Sequence, residues 1–138
     1  MTWSKKGVLI EFQKRGVPHA HVLLTMRHDH EPRTAREVDH VVPAELPDKN
    51  DPEQREPHDI VATSTMHGPC GVLDPSKPCA NENGCCTKRS PCNFALGTVM
   101  QDEKYPTDRR RDNGRCVTKR GVALDNRWVV PYNPIPNK

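Results

Sequence analysis

Hydrophobic and polar positions alternate most regularly near the start of the chain. Gly7-Val-Leu-Ile-Glu-Phe-Gln13 is rich in β-formers. Side chains alternate with period two along a strand, so Val8, Ile10 and Phe12 share one side and Leu9, Glu11 and Gln13 the other. Lys14-Arg-Gly-Val-Pro18 supplies turn chemistry, and His19-Ala-His-Val-Leu-Leu-Thr-Met26 reads as a second strand. Its His19, His21 and Leu23 point one way, and Ala20, Val22 and Leu24 the other. The five-residue connector predicts a hairpin with a longer loop over residues 7–26.

Beyond Arg27 this regularity breaks down. Pro32, Pro43, Pro47, Pro52 and Pro57 exclude a long helix. Thr34 to Asp39 predicts the start of one short helix, and residues 57–66 another. Gly, Pro, Asn and Ser dominate the Cys-containing stretch 67–94, which reads as loops. Residues 104–134 form a basic segment ending in a short strand, Leu124 to Val130, closed by Pro131. These elements predict an α+β fold: a partial antiparallel sheet with a β-hairpin, short helices and a long loop-rich Cys segment.

Composition makes the expected core small. Leu, Ile, Val and Phe number 25 of 138 residues, about 18% and below the share typical of well-filled domains. Proline, at 14 residues, is about twice as frequent as usual. No apolar run exceeds three residues, so no membrane span is expected, and the start lacks the apolar region of a secretory signal. Net charge is +3, but it is layered: +4 over residues 1–27, −6 over 28–66 and +5 over 67–138. That layout suits two segments facing a polyanion or, equally, ordinary surface charge. All six cysteines fall between Cys70 and Cys116. Without a secretory signal, metal binding or free thiols is expected ahead of a disulfide framework, in a nuclear or intracellular setting.

The sharpest chemical signal is His19-Ala20-His21. Two histidines at i and i+2 project from one strand face, about 7 Å apart along the chain. Their nitrogens can share one divalent ion and leave positions for substrate oxygens. Glu11 or Gln13, on the preceding strand, is the candidate third ligand, and such a set suits Mg²⁺ or Mn²⁺ acting as a Lewis acid on a phosphate. Two exposed strand histidines with no ligand are the alternative.

The stretch Glu11-Phe-Gln-Lys-Arg-Gly-Val-Pro-His-Ala-His-Val-Leu-Leu24 resembles the HUH motif of the Helitron transposon Rep domain. The resemblance continues in order through Ala44–Asp48, His58-Asp-Ile60, Met66–Gly71, Pro78-Cys79, Cys86–Arg89, Tyr105-Pro106, Arg109–Gly114 and Leu124–Pro134. It implies a rolling-circle endonuclease with a helicase partner. Paired histidines, here His19 and His21, with Glu11 or Gln13, would hold the metal that polarises the scissile phosphate of single-stranded DNA. A tyrosine then attacks to leave a 5′-phosphotyrosine link and a free 3′-OH.

The family's catalytic tyrosines lie downstream of the block that ends at Pro134. Tyr105 and Tyr132, the only tyrosines, do not sit in that context, and no phosphate-binding loop of the helicase type is present. The expectation is therefore a fragment, residues 1–138, with the metal half of a nuclease site and no nucleophile or motor. His67-x₂-Cys70-x₈-Cys79-x₆-Cys86 follows the family's pattern, with Cys85 and Cys92 as additions. One His and three Cys suit tetrahedral Zn²⁺, and loop thiols that bind nothing are the alternative. Arg109, Arg110, Arg111, Arg115, Lys119 and Arg120 are candidate contacts to single-stranded DNA phosphates, or a solvated basic loop.

Overall fold

The computed structural model describes residues 3–12, 18–100 and 106–134. It is an α+β structure with two short antiparallel sheets and two α-helices. The chain divides into two compact units, Met1–Arg33 and Thr34–Lys138.

The first unit is the expected hairpin. Strands β1 (Trp3–Phe12) and β2 (Pro18–Met26) pair with Val8 opposite Val22, Leu9 opposite His21, Ile10 opposite Ala20 and Glu11 opposite His19. The strands are longer than predicted at the amino end of β1, where a register shift lies between Trp3 and Lys5. Val8, Ile10, Phe12, Val22 and Leu23 are all more than half exposed. A two-stranded ribbon has no second layer of its own against which to bury them. After β2, a 3-10 turn at His28–His30 closes through a 2.8 Å bond from His30 N–H to the Arg27 carbonyl.

In the second unit, helix α1 (Ala35–Val41) begins with a capping box. Thr34 Oγ1 accepts from Glu37 N–H at 3.3 Å, and Glu37 Oε2 accepts from Thr34 N–H at 3.0 Å. Helix α2 (Arg55–Ser64) starts two residues earlier than expected. Pro57 is tolerated there because first-turn N–H groups have no intrahelical acceptor to lose. Pro57, His58, Val61 and Ala62 face inward from α2, and Val61 is fully buried.

The basic segment holds a second hairpin that the reading of residues 104–134 missed. β3 (Cys116–Lys119) pairs with β4 (Val122–Asp125) across Arg120-Gly121. Both turn residues have positive φ, 51° and 77°, the geometry of a two-residue type I′ hairpin. The predicted closing strand 124–130 is accordingly corrected. It stops at Asp125, and a 3-10 turn, Asn126–Trp128, follows because the Asp125 carboxylate caps Arg127 N–H at 2.9 Å.

The apolar core consists of two small clusters. Leu46, Val61 and Val129 form one; Cys70, Leu124 and Trp128 form the other; Met66 and Val117 pack against both. Between them runs a buried polar framework. Asn126, 1% exposed, accepts from Leu46 N–H at 2.8 Å and donates to the Arg111 carbonyl at 2.8 Å and Asn113 Oδ1 at 3.2 Å. Arg110, 4% exposed, donates to the carbonyls of Asn126 and Val129. Glu45 receives the backbone N–H and guanidinium fork of Arg111, and Arg115 clamps the Leu46 carbonyl and Asp48.

Asn126→Ala would strand the Leu46 N–H and the Arg111 carbonyl away from water, a loss of about 2–4 kcal/mol. Urea unfolding followed by Trp128 fluorescence in a Trp3→Phe background should show that drop, while Glu53→Ala, at an exposed position, stays near wild type; equal midpoints would refute the role given to Asn126. Acid sensitivity supplies a separate check. Burial pushes the Glu45 carboxyl up, but hydrogen bonds from Arg111 and the charge of Arg109 outweigh it and hold the group below its ordinary 4.5. A depressed carboxyl contributes stability that is present above its unfolded value and is lost as pH falls through the folded one. The urea midpoint should thus decline below pH 4.5, and less steeply in Glu45→Gln; parallel declines would show that Glu45 is not the source.

Candidate metal centre

His67, Cys70, Cys79 and Cys86 come together in the second unit, with one ligand atom from each lying within 4.8 Å of all the others. Among the described residues this is the one group of three or more His, Cys, Asp or Glu side chains so placed. Each spacer in the sequence pattern is a tight turn. His67 is fixed at its backbone by a 2.8 Å bond to the Trp128 carbonyl, beside the Met66–Val129 bridge and the bond from Val130 N–H to the Thr65 carbonyl. The next residue must be glycine. Gly68 has φ 138°, and a Cβ there would stand 2.5 Å from the Trp128 ring. That close approach lets the indole lie against the backbone leading into Cys70, which is buried.

The longer spacers fold back by backbone turns. Asp74 N–H bonds the Gly71 carbonyl, Lys77 N–H bonds the Asp74 carbonyl, and Ala80 N–H bonds the Lys77 carbonyl, which carries the chain round to Cys79. Asn81 then organises the last loop: its Oδ1 accepts from Cys85 N–H at 2.8 Å and Asn83 N–H at 3.1 Å. The return is locked by the Ala80–Cys86 bridge and a 2.7 Å bond from Thr87 N–H to the Cys79 carbonyl. Cys79 and Cys86 therefore sit side by side because their backbones are paired.

The donor chemistry fits a thiophilic divalent ion. All six cysteines are free, and the Cys86 sulfur lies 3.1 Å from His67 Nε2 and accepts from Lys88 N–H at 3.3 Å. Burial raises the Cys86 pKa, but the backbone N–H groups of Ser90 and Lys88, His67 and Cys70 outweigh it and bring the thiol down to about 6. Cys70 moves the other way, pushed up to about 12 by burial and by its two neighbouring thiols. Donors on one tetrahedral zinc ion stand about 3.5–3.8 Å apart, so the 3.1 Å His67–Cys86 pair must open slightly and any pair near the 4.8 Å limit must close. Cys85 and Cys116 are exposed, and they and Cys92 lie outside the set.

The hairpin face is described in part. Glu11 stands opposite His19 in the ladder, and its Oε2 lies 3.4 Å from His21 Nε2, with both side chains more than half exposed. Gln13 and Tyr105 lie outside the described residues, as does the side chain of His19. Tyr132 is half-buried, donates its hydroxyl to the Glu45 carbonyl at 3.1 Å, and is raised in pKa by that burial and by the Glu45 charge.

The basic run is paired within the chain, with Arg110 buried and Arg111 and Arg120 exposed. Arg109 pairs with Asp39 at 3.0 Å, Arg110 is in the core, and Arg111 is bidentate to Glu45. Arg115 pairs with Asp48, Lys119 donates to the Thr63 carbonyl, and Arg120 pairs with Asp74. Sequence reasoning counted these six as charges and missed the acidic partners, which lie up to 70 residues away along the chain. It also missed Phe94, whose ring lies 4.7 Å from the Arg127 guanidinium carbon. No helix among the described residues is long and apolar enough to cross a membrane.

In metal-free protein, iodoacetamide mapped by mass spectrometry should label Cys86 with a half-point near pH 6 and leave Cys70 unlabelled through neutral pH. Equal labelling of both at pH 7 would contradict the assigned environments. The chain matches no protein-family model, and no curated protein matches its sequence.

Proposed function

We propose that this chain is the metal-holding part of a Helitron-type HUH module that acts on single-stranded DNA, built on a zinc-tied scaffold. The observation that carries the reading is the hairpin register, which sets Glu11 opposite His19 and 3.4 Å from His21. Two donors about 2.1 Å from one ion stand about 3 Å apart, so Glu11 and His21 need little movement to share one. The sequence context of those three residues, and the ordered blocks through Pro134, supply the family reading.

When bound, a Mg²⁺ or Mn²⁺ ion would supply Lewis-acid polarisation of a scissile phosphate. The chain's own contribution is positional. His19 and His21 are held two residues apart on a hydrogen-bonded strand, and Glu11 on the neighbouring strand brings negative charge to the same face. Tyr132 is not assigned as nucleophile, because its hydroxyl is committed to the Glu45 carbonyl and its pKa is raised. The reading thus gives this chain metal and strand binding without the phosphotyrosine step.

The His67/Cys70/Cys79/Cys86 cluster is assigned to Zn²⁺ in a structural role. With four protein donors it leaves no open position for a substrate. The cluster also favours a second reading: a zinc-stabilised DNA-binding remnant whose hairpin face is idle.

Calorimetric titration of zinc-loaded protein with Mn²⁺ separates the two. Wild type should bind one further ion, and His19→Ala/His21→Ala should weaken it by at least about tenfold, as loss of ligands does, with zinc content unchanged. Identical titrations would leave the hairpin without its assigned role. Chelation by a strong zinc ligand should lower the urea midpoint without unfolding the chain in buffer; an unchanged midpoint would remove the structural zinc.

A further inference from the structure

Where a DNA strand would be gripped is a separate question, because the residues first expected to do so all have partners within the chain, although Arg111 and Arg120 stay exposed. Arg109, Arg110, Arg111, Arg115, Lys119 and Arg120 each have an internal carboxylate or carbonyl partner. For Arg111 and Arg115, breaking those ties to reach a phosphate would release the loop at 44–48.

A different surface has the required chemistry. Immediately after Cys86 the chain carries Lys88 and Arg89, both exposed. Among the described residues neither side chain has an ion-pair or hydrogen-bond partner. Arg89 adopts φ 59°, a left-handed conformation that turns the backbone sharply at this point. Five residues on, Phe94 is 37% exposed, with the Arg127 guanidinium over its ring at 4.7 Å. Arg127 is itself oriented by a bidentate pair with Asp125.

The segment is pinned on both sides of Phe94. Cys92 N–H bonds the Arg127 carbonyl at 2.9 Å, while Ala95 and Arg110 exchange backbone bonds of 3.0 and 2.9 Å. The Lys88 end is tied through its N–H to the Cys86 sulfur, so an ion in the cluster would stiffen that end too. Non-specific recognition of single strands combines cations that track phosphates with aromatic rings on which bases stack. A ring backed by a guanidinium and held by backbone pins supplies the second part, and a free cationic turn supplies the first.

We propose that single-stranded DNA is held on the 88–94 turn, with Phe94 as the base-stacking platform backed by Arg127 and with Lys88 and Arg89 contacting phosphates. The inference rests on the single-stranded DNA reading above and deepens it. It places the strand on the zinc-tied unit and takes the Arg109–Arg120 run as scaffold.

The test is fluorescence anisotropy of a labelled oligodeoxythymidine with the full zinc-loaded chain over a range of salt. Lys88→Glu/Arg89→Glu should weaken binding about tenfold or more and lower the salt slope by about 1.4, the loss of two phosphate contacts to a single strand. Phe94→Ala should weaken it about tenfold with little change in slope, and Phe94→Tyr should bind like wild type, because the stacking face is kept. Lys49→Glu/Arg55→Glu, an equal charge change at exposed positions, should lose less than about threefold, the non-specific part of the charge effect. If wild type binds and the 88–94 variants match it, or the control pair loses as much as they do, the platform is wrong while the DNA reading stands. If wild type shows no preference for the single strand over duplex, the DNA reading itself falls and the platform falls with it. Should Phe94→Ala lose its folded far-UV spectrum, the Lys88/Arg89 pair, whose side chains support nothing, decides alone.

Discussion

The side chain of Asn126 is the constraint on which the second unit depends. Its amide is buried, and both ends are paired to backbone groups or to Asn113 from segments far apart in the chain. An unpaired amide in that place would cost more than a typical apolar contact contributes. Asn126 therefore dictates which segments meet: the loop at 44–48, the run at 110–113 and the turn after β4. Arg110 completes the arrangement by saturating the carbonyls of Asn126 and Val129. In a chain with so few large apolar residues, this polar framework specifies what a bigger core would specify by shape.

The metal cluster and the apolar core are not separate parts of that unit. Cys70 is a core residue beside Leu124 and Trp128, and Cys79 and Cys86 pack against the same cluster. Whatever fixes the sulfurs also fixes the walls of the core. The close approach of Trp128 to Gly68 and the pairing of His67 with the Trp128 carbonyl extend that coupling to the segment that follows α2. Binding of an ion and consolidation of the fold draw on the same contacts, which is the usual logic of small metal-tied domains. The hairpin unit is different. Its site is a register on two strands, and its apolar side chains remain exposed within the unit.

Several features were legible from local chemistry alone. Strand periodicity predicted both strands of the first hairpin, because alternation of apolar and polar positions marks a strand whichever partner it pairs with. The family resemblance, not the spacing, singled out His67, Cys70, Cys79 and Cys86 as one donor set, and the turns between them bring the four together. Short helices were expected near α1 and α2, where proline permits them only in short pieces. The β3–β4 hairpin had a signal too: Arg120-Gly121 sits between alternating segments, but the surrounding charge obscured it.

What local chemistry could not decide was the fate of the charges. Arg109 to Arg120 form a basic run in the sequence, yet Asp39, Glu45, Asp48 and Asp74 reach them only once the chain has folded. A cation's availability depends on its partner's position in space, and no periodicity encodes a partner tens of residues away. The same holds for Phe94, an isolated aromatic in the sequence that becomes a backed, pinned ring only when Arg127 arrives beside it. Sequence alone determined where the two strands of the first hairpin would form, since alternation follows from spacing along a single backbone. Tertiary structure alone decided which of the protein's cations are scaffold and which remain open to a ligand, since charge pairing is settled by distance in three dimensions.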